Sequence, residues 1–272
     1  GGPEELRIEE VPVPAPAPGE VRIAVRASSL NHIDLFLRRG MPGVAIPLPR
    51  IPGSDAAGVV DALGDGVTGL REGDRVCVNP GVSCGHCEFC AGGDGSLCLS
   101  YALLGEHRDG AHAAYVTIAA RNAHVLPAEM TFEAAAAAPL VYLTAWRMLV
   151  TKARLKPGDR VLVLGAGAGV GTACVQIARL CGSYVYAAAS TEGKRKRLAA
   201  LGADEVLDSS TGDFADTLRR RTGRRGVDVV VDYVGRDTWQ RSLRSLRRGG
   251  TLVTCGATTG HDPPEDLRQI FY

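Results

Sequence analysis

Several things are scarce in this sequence. Lysine is one: among 31 Lys and Arg residues, only Lys152, Lys156, Lys194 and Lys196 are lysine. That is read as coding bias without functional weight. Aromatic residues make up 5%, and no platform for stacking unpaired bases is visible. The formal net charge is +1, which argues against a chain that works by bulk attraction to nucleic acid or a lipid surface. The longest apolar stretch, Ala134 to Trp146, contains Pro139 and is too short for a membrane-spanning helix. Glu4 and Glu5 stand where a secretory leader would carry basic and then apolar residues. A cytoplasmic protein is therefore expected. There is no initiating Met, and Phe271-Tyr272 breaks off in an apolar pattern, so a fragment of a longer protein is expected.

What is present suits a globular protein and excludes a disordered or fibrous chain. The chain has 272 residues, 45% hydrophobic and 22% charged, enough for two domains with separate cores. Pro12, Pro14, Pro16 and Pro18 exclude helix at the start. Val21, Ile23, Val25 and Ala27 then alternate with Arg22, Ala24 and Arg26, as a half-buried strand does. Further short strands are predicted at Val59-Val60, Val76 to Val78 and Tyr115 to Ile118, a spacing that suggests a small antiparallel barrel. Beyond Pro127 the pattern changes. Thr131 can cap a helix, and strands are predicted at Val161 to Leu164, Tyr184 to Ala188, Glu205 to Leu207, Val227 to Asp232 and Thr251 to Cys255. Helical segments between most of them imply a parallel sheet.

Two motifs carry chemistry. The first is Gly165, Gly167, Gly169 and Gly171, directly after the apolar run Val161 to Leu164 and opening a helical pattern that Gly182 stops. Glycines let the backbone approach a pyrophosphate, and a helix N-terminus offers free N–H donors. Val170 stands where the strict fingerprint has its third glycine. The second predicted strand of this unit runs into Ser190 and Thr191 with no acid at its end, and Lys194 and Arg195 follow. That favours NADPH over NADH, since a 2′-phosphate needs a cation and a free ribose hydroxyl an acid.

The second motif is Cys84, Cys87, Cys90 and Cys98, spaced C-x2-C-x2-C-x7-C. Four thiolates at this spacing can close a tetrahedral zinc site, with no position left open for substrate. One structural Zn2+ is expected. Cysteines clustered in this way also favour a reducing compartment over disulfides.

In this order, these segments resemble the medium-chain dehydrogenase/reductase superfamily. The segment Cys84 to Gly93, closing at Cys98, looks like its structural zinc lobe; Pro52 to Gly58 looks like the Gly-His-Glu region of its zinc alcohol dehydrogenases; Val161 to Gly171 looks like its cofactor loop. The resemblance implies an α/β protein. A GroES-like β-barrel catalytic domain over residues 1–127, with the zinc lobe at about 80–100, would precede a Rossmann doubly wound parallel sheet over 128–272. It also implies a sixth strand, a return to the catalytic domain and a homodimer in the full-length protein. The strand and the return are expected to be missing here, leaving the Rossmann domain truncated at its C-terminus.

The departures from that family are as informative. Its catalytic zinc positions fall on Asn31, Ser54 and Leu140, none a good ligand. Asn31, Asp34, Arg38 and Gly40, with Leu143 to Trp146, look like the quinone oxidoreductase branch. Some relatives carry Tyr two residues after that Asp, where this chain has Phe36. The reading is an NAD(P)H-dependent reductase of a quinone, enone or reactive carbonyl without catalytic zinc. Asn31 and Thr144 would be the hydrogen-bond donors, with Asp34 positioning. The cofactor residues would be Gly165, Gly167, Gly169, Val170, Gly171, Ser190, Thr191 and Lys194. Three alternatives stand beside it. One is a zinc alcohol dehydrogenase with atypical ligands, in which His32 or His107 would lie beside Asp55. Another is a non-catalytic, crystallin-like nucleotide binder. The third is a nucleic-acid module resting on Arg219 to Arg221, Arg224, Arg225 and the arginines of 241–248. The expected partner is a small-molecule substrate, with no nucleic acid and no membrane.

Overall fold

Strand β1 (Glu20–Ser29) carries the alternation seen in the sequence, with Val21 and Ile23 fully buried. In the computed structural model, which describes residues 1–40, 43, 46–210 and 213–271, the chain forms two compact units, Gly1–Leu140 and Val141–Tyr272. In the first unit β1 pairs antiparallel with β2 (Asp55–Leu63), and β3 (Arg75–Val78) follows. A two-stranded ribbon, β4 (Gly81–Val82) and β5 (Ala102–Leu103), flanks the cysteine segment and its one-turn helix α2 (Glu88–Ala91). Strands β6 (Tyr115–Ala119) and β7 (Ala123–Val125) complete a sheet of order β6-β1-β2-β3-β7. Its edge strands β6 and β7 are joined by the single turn Ala120–Asn122. So short a link between opposite edges requires the sheet to curl on itself. Register shifts in β1, between Arg22 and Ile23 and between Val25 and Ala27, add the local bend. Helix α1 (His32–Arg39) follows β1. Helix α3 (Phe132–Ala136), capped as expected by Thr131, packs Ala135 and Ala136 against Ala57 and Leu126.

The division after Leu140 falls inside helix α4 (Pro139–Trp146), which runs on into a π-helical turn, Arg147–Lys152. The second unit alternates strand and helix: β8 (Arg160–Val163), α5 (Gly169–Leu180), β9 (Tyr184–Ala189), α6 (Glu192–Ala200), β10 (Glu205–Asp208), α7 (Phe214–Arg221), β11 (Val227–Val231), α8 (Trp239–Ser245) and β12 (Leu246–Val253). A last turn, α9, spans Arg268–Phe271. All five strands are parallel, in the order β10-β9-β8-β11-β12.

Strand periodicity splits the core of this sheet into two layers. Val161, Val163, Val185 and Val229 face one way, onto Ala173, Cys174 and Ile177 of α5. Leu162, Leu164, Tyr186 and Val230 face the other, onto Phe214 and Leu218 of α7. The last strand begins at Leu246, five residues before the predicted Thr251. Arg247-Arg248-Gly249-Gly250 reads as a turn, and it is indeed bulged: Val227 pairs with Leu246, but Val229 pairs with Thr251. Among the described residues no helix is long and apolar enough to cross a membrane, and Tyr272 lies outside them.

Phe214 is 2% exposed within the second layer. Phe214→Ala is expected to lower the stability of the second unit by about 3–5 kcal/mol, the usual cost of an aromatic core cavity. Urea unfolding followed by circular dichroism checks this.

Candidate functional site

The first unit gathers its polar groups around one carboxylate. Asp55, at the start of β2, is 1% exposed. Its Oδ2 accepts from Ser29 Oγ at 2.7 Å and from Asn31 Nδ2 at 2.8 Å. Its Oδ1 accepts from the Leu140 backbone N–H at 2.9 Å. Asn31 is the N-cap of α1, and Asp34 one turn on accepts the Asn31 backbone N–H at 2.7 Å. The other Asp34 oxygen accepts from the Gly53 N–H at 3.2 Å, tying α1 to the segment that leads into Asp55. Asn31, Ser54 and Leu140, the positions aligned with the family's zinc ligands, are thus brought to one place. Two of them bond the same carboxylate, and the third is its chain neighbour. Ser54 Oγ is buried without a partner among the described residues.

The sequence points to Asp55 only as a neighbour of an atypical metal site with His32 or His107; that it gathers the donors of this unit is seen only in the fold. Burial pushes its carboxyl above the ordinary 3.8, with a smaller push from the Asp34 charge, against the hydrogen bonds of Asn31, Ser29 and Leu140. The histidines do not assemble around it. His32 packs near Phe36, His107 Nδ1 accepts the Leu103 N–H at 3.2 Å, and His112 bonds Ser28 Oγ at 3.0 Å. Among the described residues, the four cysteines are the one group of three or more His, Cys, Asp or Glu side chains placed to share a metal.

The sulfurs of Cys84, Cys87, Cys90 and Cys98 all lie within 4.8 Å of one another, with Cys84 to Cys90 at 3.8 Å and Cys87 to Cys90 at 3.5 Å. A tetrahedral zinc with Zn–S bonds of about 2.3 Å needs sulfurs about 3.8 Å apart. The donor set and spacing fit zinc. Cys98 Sγ accepts the Cys84 N–H at 3.1 Å and the Ser100 N–H at 3.3 Å. The Cys90 and Leu99 N–H groups pull the Cys87 thiol down to about 6, whereas desolvation pushes Cys90 up to about 11.

In the second unit the glycine loop leaves β8 and enters α5 behind Ala168, whose side chain provides no cap. The Gly169 and Val170 N–H groups find no acceptor among the described residues. Unpaired donors at a helix start suit a pyrophosphate. Tyr233 Oη donates to the Gly165 carbonyl at 2.7 Å. A Cβ on Gly171 would fall 2.5 Å from both Tyr233 Oη and Ala166 Cα, so no other residue fits there. Ser190 is exposed, and Thr191 caps α6 by accepting the Lys194 N–H at 3.4 Å. The Lys194 side chain lies alongside Gly167, where a Cβ would meet its Cδ at 2.8 Å. Arg195, offered by the sequence beside it, is instead engaged with Asp208 at 2.9 Å and with the Ala189 carbonyl at 3.3 Å. Thr144 is half-buried on α4, and Tyr142 bonds Gln176.

Comparison with known proteins agrees with this layout. The family described as "Alcohol dehydrogenase GroES-like domain" matches residues 17–128, and that described as "Zinc-binding dehydrogenase" matches residues 169–272. The chain is similar to human quinone oxidoreductase, 32% identical over 258 residues, which are 94% of this chain and 70% of that protein. It is similar to a crystal structure of an NAD-dependent alcohol dehydrogenase, with TM-score 0.96 and 44% identity over 100% of this chain and 79% of that one. It is also similar to Escherichia coli quinone oxidoreductase complexed with NADPH, with TM-score 0.82 and 32% identity over 98% and 74%.

The Asp55 shift has a definite sign. A carboxyl with a raised folded pKa favours the fold most when protonated. That contribution is whole below about pH 3.8 and is lost as pH rises through the higher folded value. The stability of the protein relative to its Asp55→Asn variant is therefore expected to fall over that interval. Urea unfolding at stepped pH measures it, and parallel profiles would contradict it.

Proposed function

The chain belongs to the medium-chain dehydrogenase/reductase superfamily, and on that premise we propose a hydride transfer to a quinone, enone or reactive carbonyl without a catalytic zinc. It is an NAD(P)-dependent oxidoreductase like the quinone oxidoreductases and alcohol dehydrogenases it matches. The observation that carries the finer reading is the Asp55 hub. Where the resemblance implies a zinc, Asn31 and Leu140 donate to a carboxylate and Ser54 is a buried hydroxyl.

Bound NAD(P)H would supply the hydride from its nicotinamide. Gly169 and Val170 offer their N–H groups to the pyrophosphate, and Gly165, Gly167 and Gly171 let the backbone come close. Ser190, Thr191 and Lys194 receive the adenosine ribose, and the Lys194 ammonium favours a 2′-phosphate. Asn31 spends one N–H on Asp55. Its other N–H approaches Ser29 Oγ only at 3.5 Å, too long for a good bond. We assign that second N–H to the substrate oxygen. Asp34 is a positioning residue through the Asn31 backbone, and Thr144 is a candidate hydroxyl donor in the second unit. Neutral donors stabilise an oxyanion less than a metal would, so the substrate must already be electrophilic. Cys84, Cys87, Cys90 and Cys98 would hold a structural zinc that braces their loop.

A second reading, an alcohol dehydrogenase with atypical ligands, draws on the NAD-dependent alcohol dehydrogenase at 44% identity. Metal content per chain separates the two. One zinc, lost in Cys98→Ser, together with NADPH-driven reduction of quinones or enones, is the expected result. Two zincs would replace the proposed chemistry with the second reading. Cofactor binding with no turnover of any acceptor would make the protein a nucleotide binder alone. Lys194→Ala is expected to raise KM for NADPH about tenfold, the scale of one lost charge-assisted contact, and to leave NADH within about twofold. Steady-state kinetics with both nucleotides checks it.

A further inference from the structure

Five arginines unused by this chemistry meet at the other end of the parallel sheet. Arg219, Arg224, Arg225, Arg247 and Arg248, with Leu246, line a cavity of about 440 Å3. Strands β8, β11 and β12 run parallel, and the glycine loop follows the C-terminal end of β8. Arg224 and Arg225 lie just before β11, and Arg247 and Arg248 belong to the start of β12. The cavity therefore sits at the N-terminal strand ends, away from the end where this kind of sheet receives its cofactor.

Two backbone features hold the arginines there. In the turn before β11, Gly223, Arg224 and Gly226 have φ values of 60°, 64° and 85°. A left-handed arginine is uncommon and needs support from its surroundings. Thr222 supplies it, with Oγ1 accepting the Gly226 N–H at 3.0 Å and donating to the Leu218 carbonyl at 3.0 Å. A Cβ on Gly226 would fall 2.7 Å from Arg247 N, so only glycine lets the turn press against β12. The second feature is the bulge that interrupts β12 between its pairings at Leu246 and Thr251, which lifts Arg247 and Arg248 out of the ladder.

The charges do not balance inside the cavity. Asp228 grips Arg225 through contacts of 3.1 and 2.8 Å, and also Arg247. The Arg219 side chain donates, among the described residues, only to the Arg244 carbonyl, at 3.2 Å. Among the described residues no group accepts from the Arg224 or Arg248 side chain. Asp228, joined only by the charge of Asp159 acting on Arg225, thus faces five guanidinium groups, an excess of positive charge that repels itself without an anion. Guanidinium forks match phosphoryl oxygens bidentately.

We propose that this cavity binds a compact anion bearing two or three phosphoryl groups, at a site separate from the cofactor loop. Its concave shape favours a small ligand over a polymer. Nearby Arg244 is already covered by Asp213 and Asp216, which would repel an extended polyanion.

The test is calorimetric titration of the protein with inorganic tripolyphosphate, with and without saturating NADPH. Binding that survives NADPH is expected. The double variant Arg224→Gly, Arg248→Ala keeps a residue that tolerates the left-handed turn. It is expected to weaken that binding at least about tenfold while melting temperature and NADPH KM stay unchanged. Binding that NADPH abolishes, or that the double variant leaves intact, would overturn the proposal, as would no binding at millimolar tripolyphosphate. Tighter binding of a single-stranded oligonucleotide than of tripolyphosphate would also overturn it in favour of a polymer.

Discussion

A buried carboxylate is stable only when its lone pairs are satisfied, and much of the first unit is arranged to meet that need. Asp55 takes hydrogen bonds from the end of β1 through Ser29, from the start of α1 through Asn31 and from Leu140 at the start of α4. Asp34 then ties the first turn of α1 to Gly53, two residues before Asp55. Removing the whole carboxyl group would leave three donors without an acceptor, so the hub and the direction of α1 stand together. In a zinc dehydrogenase a metal would organise the same positions. Here hydrogen bonds do so, which is the arrangement that the proposed orientation by neutral donors requires.

The second unit uses the same device at the C-terminal end of β11. Asp232, 1% exposed, accepts from the Val234 and Gly235 N–H groups and from the Thr238 and Ser242 hydroxyls. That fixes the chain just past Tyr233, whose hydroxyl in turn holds the Gly165 carbonyl. The glycine loop is therefore braced from a neighbouring strand as well as by its own turns. Because Tyr233 fills the space where a side chain at Gly171 would lie, the tyrosine and the missing Cβ are one packing solution.

Elements that rest on local periodicity or close spacing could be read from the sequence. The two-layer alternation of Val161 to Leu164, the Thr131 cap and the four cysteine sulfurs need neighbours only a few residues apart, or a register that repeats every second residue. The Asp55 hub could not be read in this way, because its donors come from Ser29, Asn31 and Leu140 and only the fold brings them together. The start of β12 was hidden for a different reason. Arg247 to Gly250 has the composition of a turn, and it is a bulge inside a strand rather than the loop before it. Arg195 was misleading because a helix places consecutive side chains about 100° apart. Lys194 lies along the glycine loop, whereas Arg195 turns to Asp208.

The two ends of the parallel sheet differ in the kind of donor they offer. At the C-terminal end of β8 the donors are backbone N–H groups of a glycine loop, which carry no net charge and can approach a ligand closely. At the N-terminal ends of β11 and β12 they are guanidinium groups, of which the buried carboxylate of Asp228 grips two, Arg225 and Arg247. Backbone donors suit a dinucleotide that must bind and leave in each turnover, because uncharged contacts hold it without a large electrostatic trap. A cluster of cations suits an anion that stays. Its attraction grows with ligand charge and weakens with salt. The two surfaces proposed to bind phosphate lie at opposite ends of the strands and use different donors, so filling one leaves the donors of the other free.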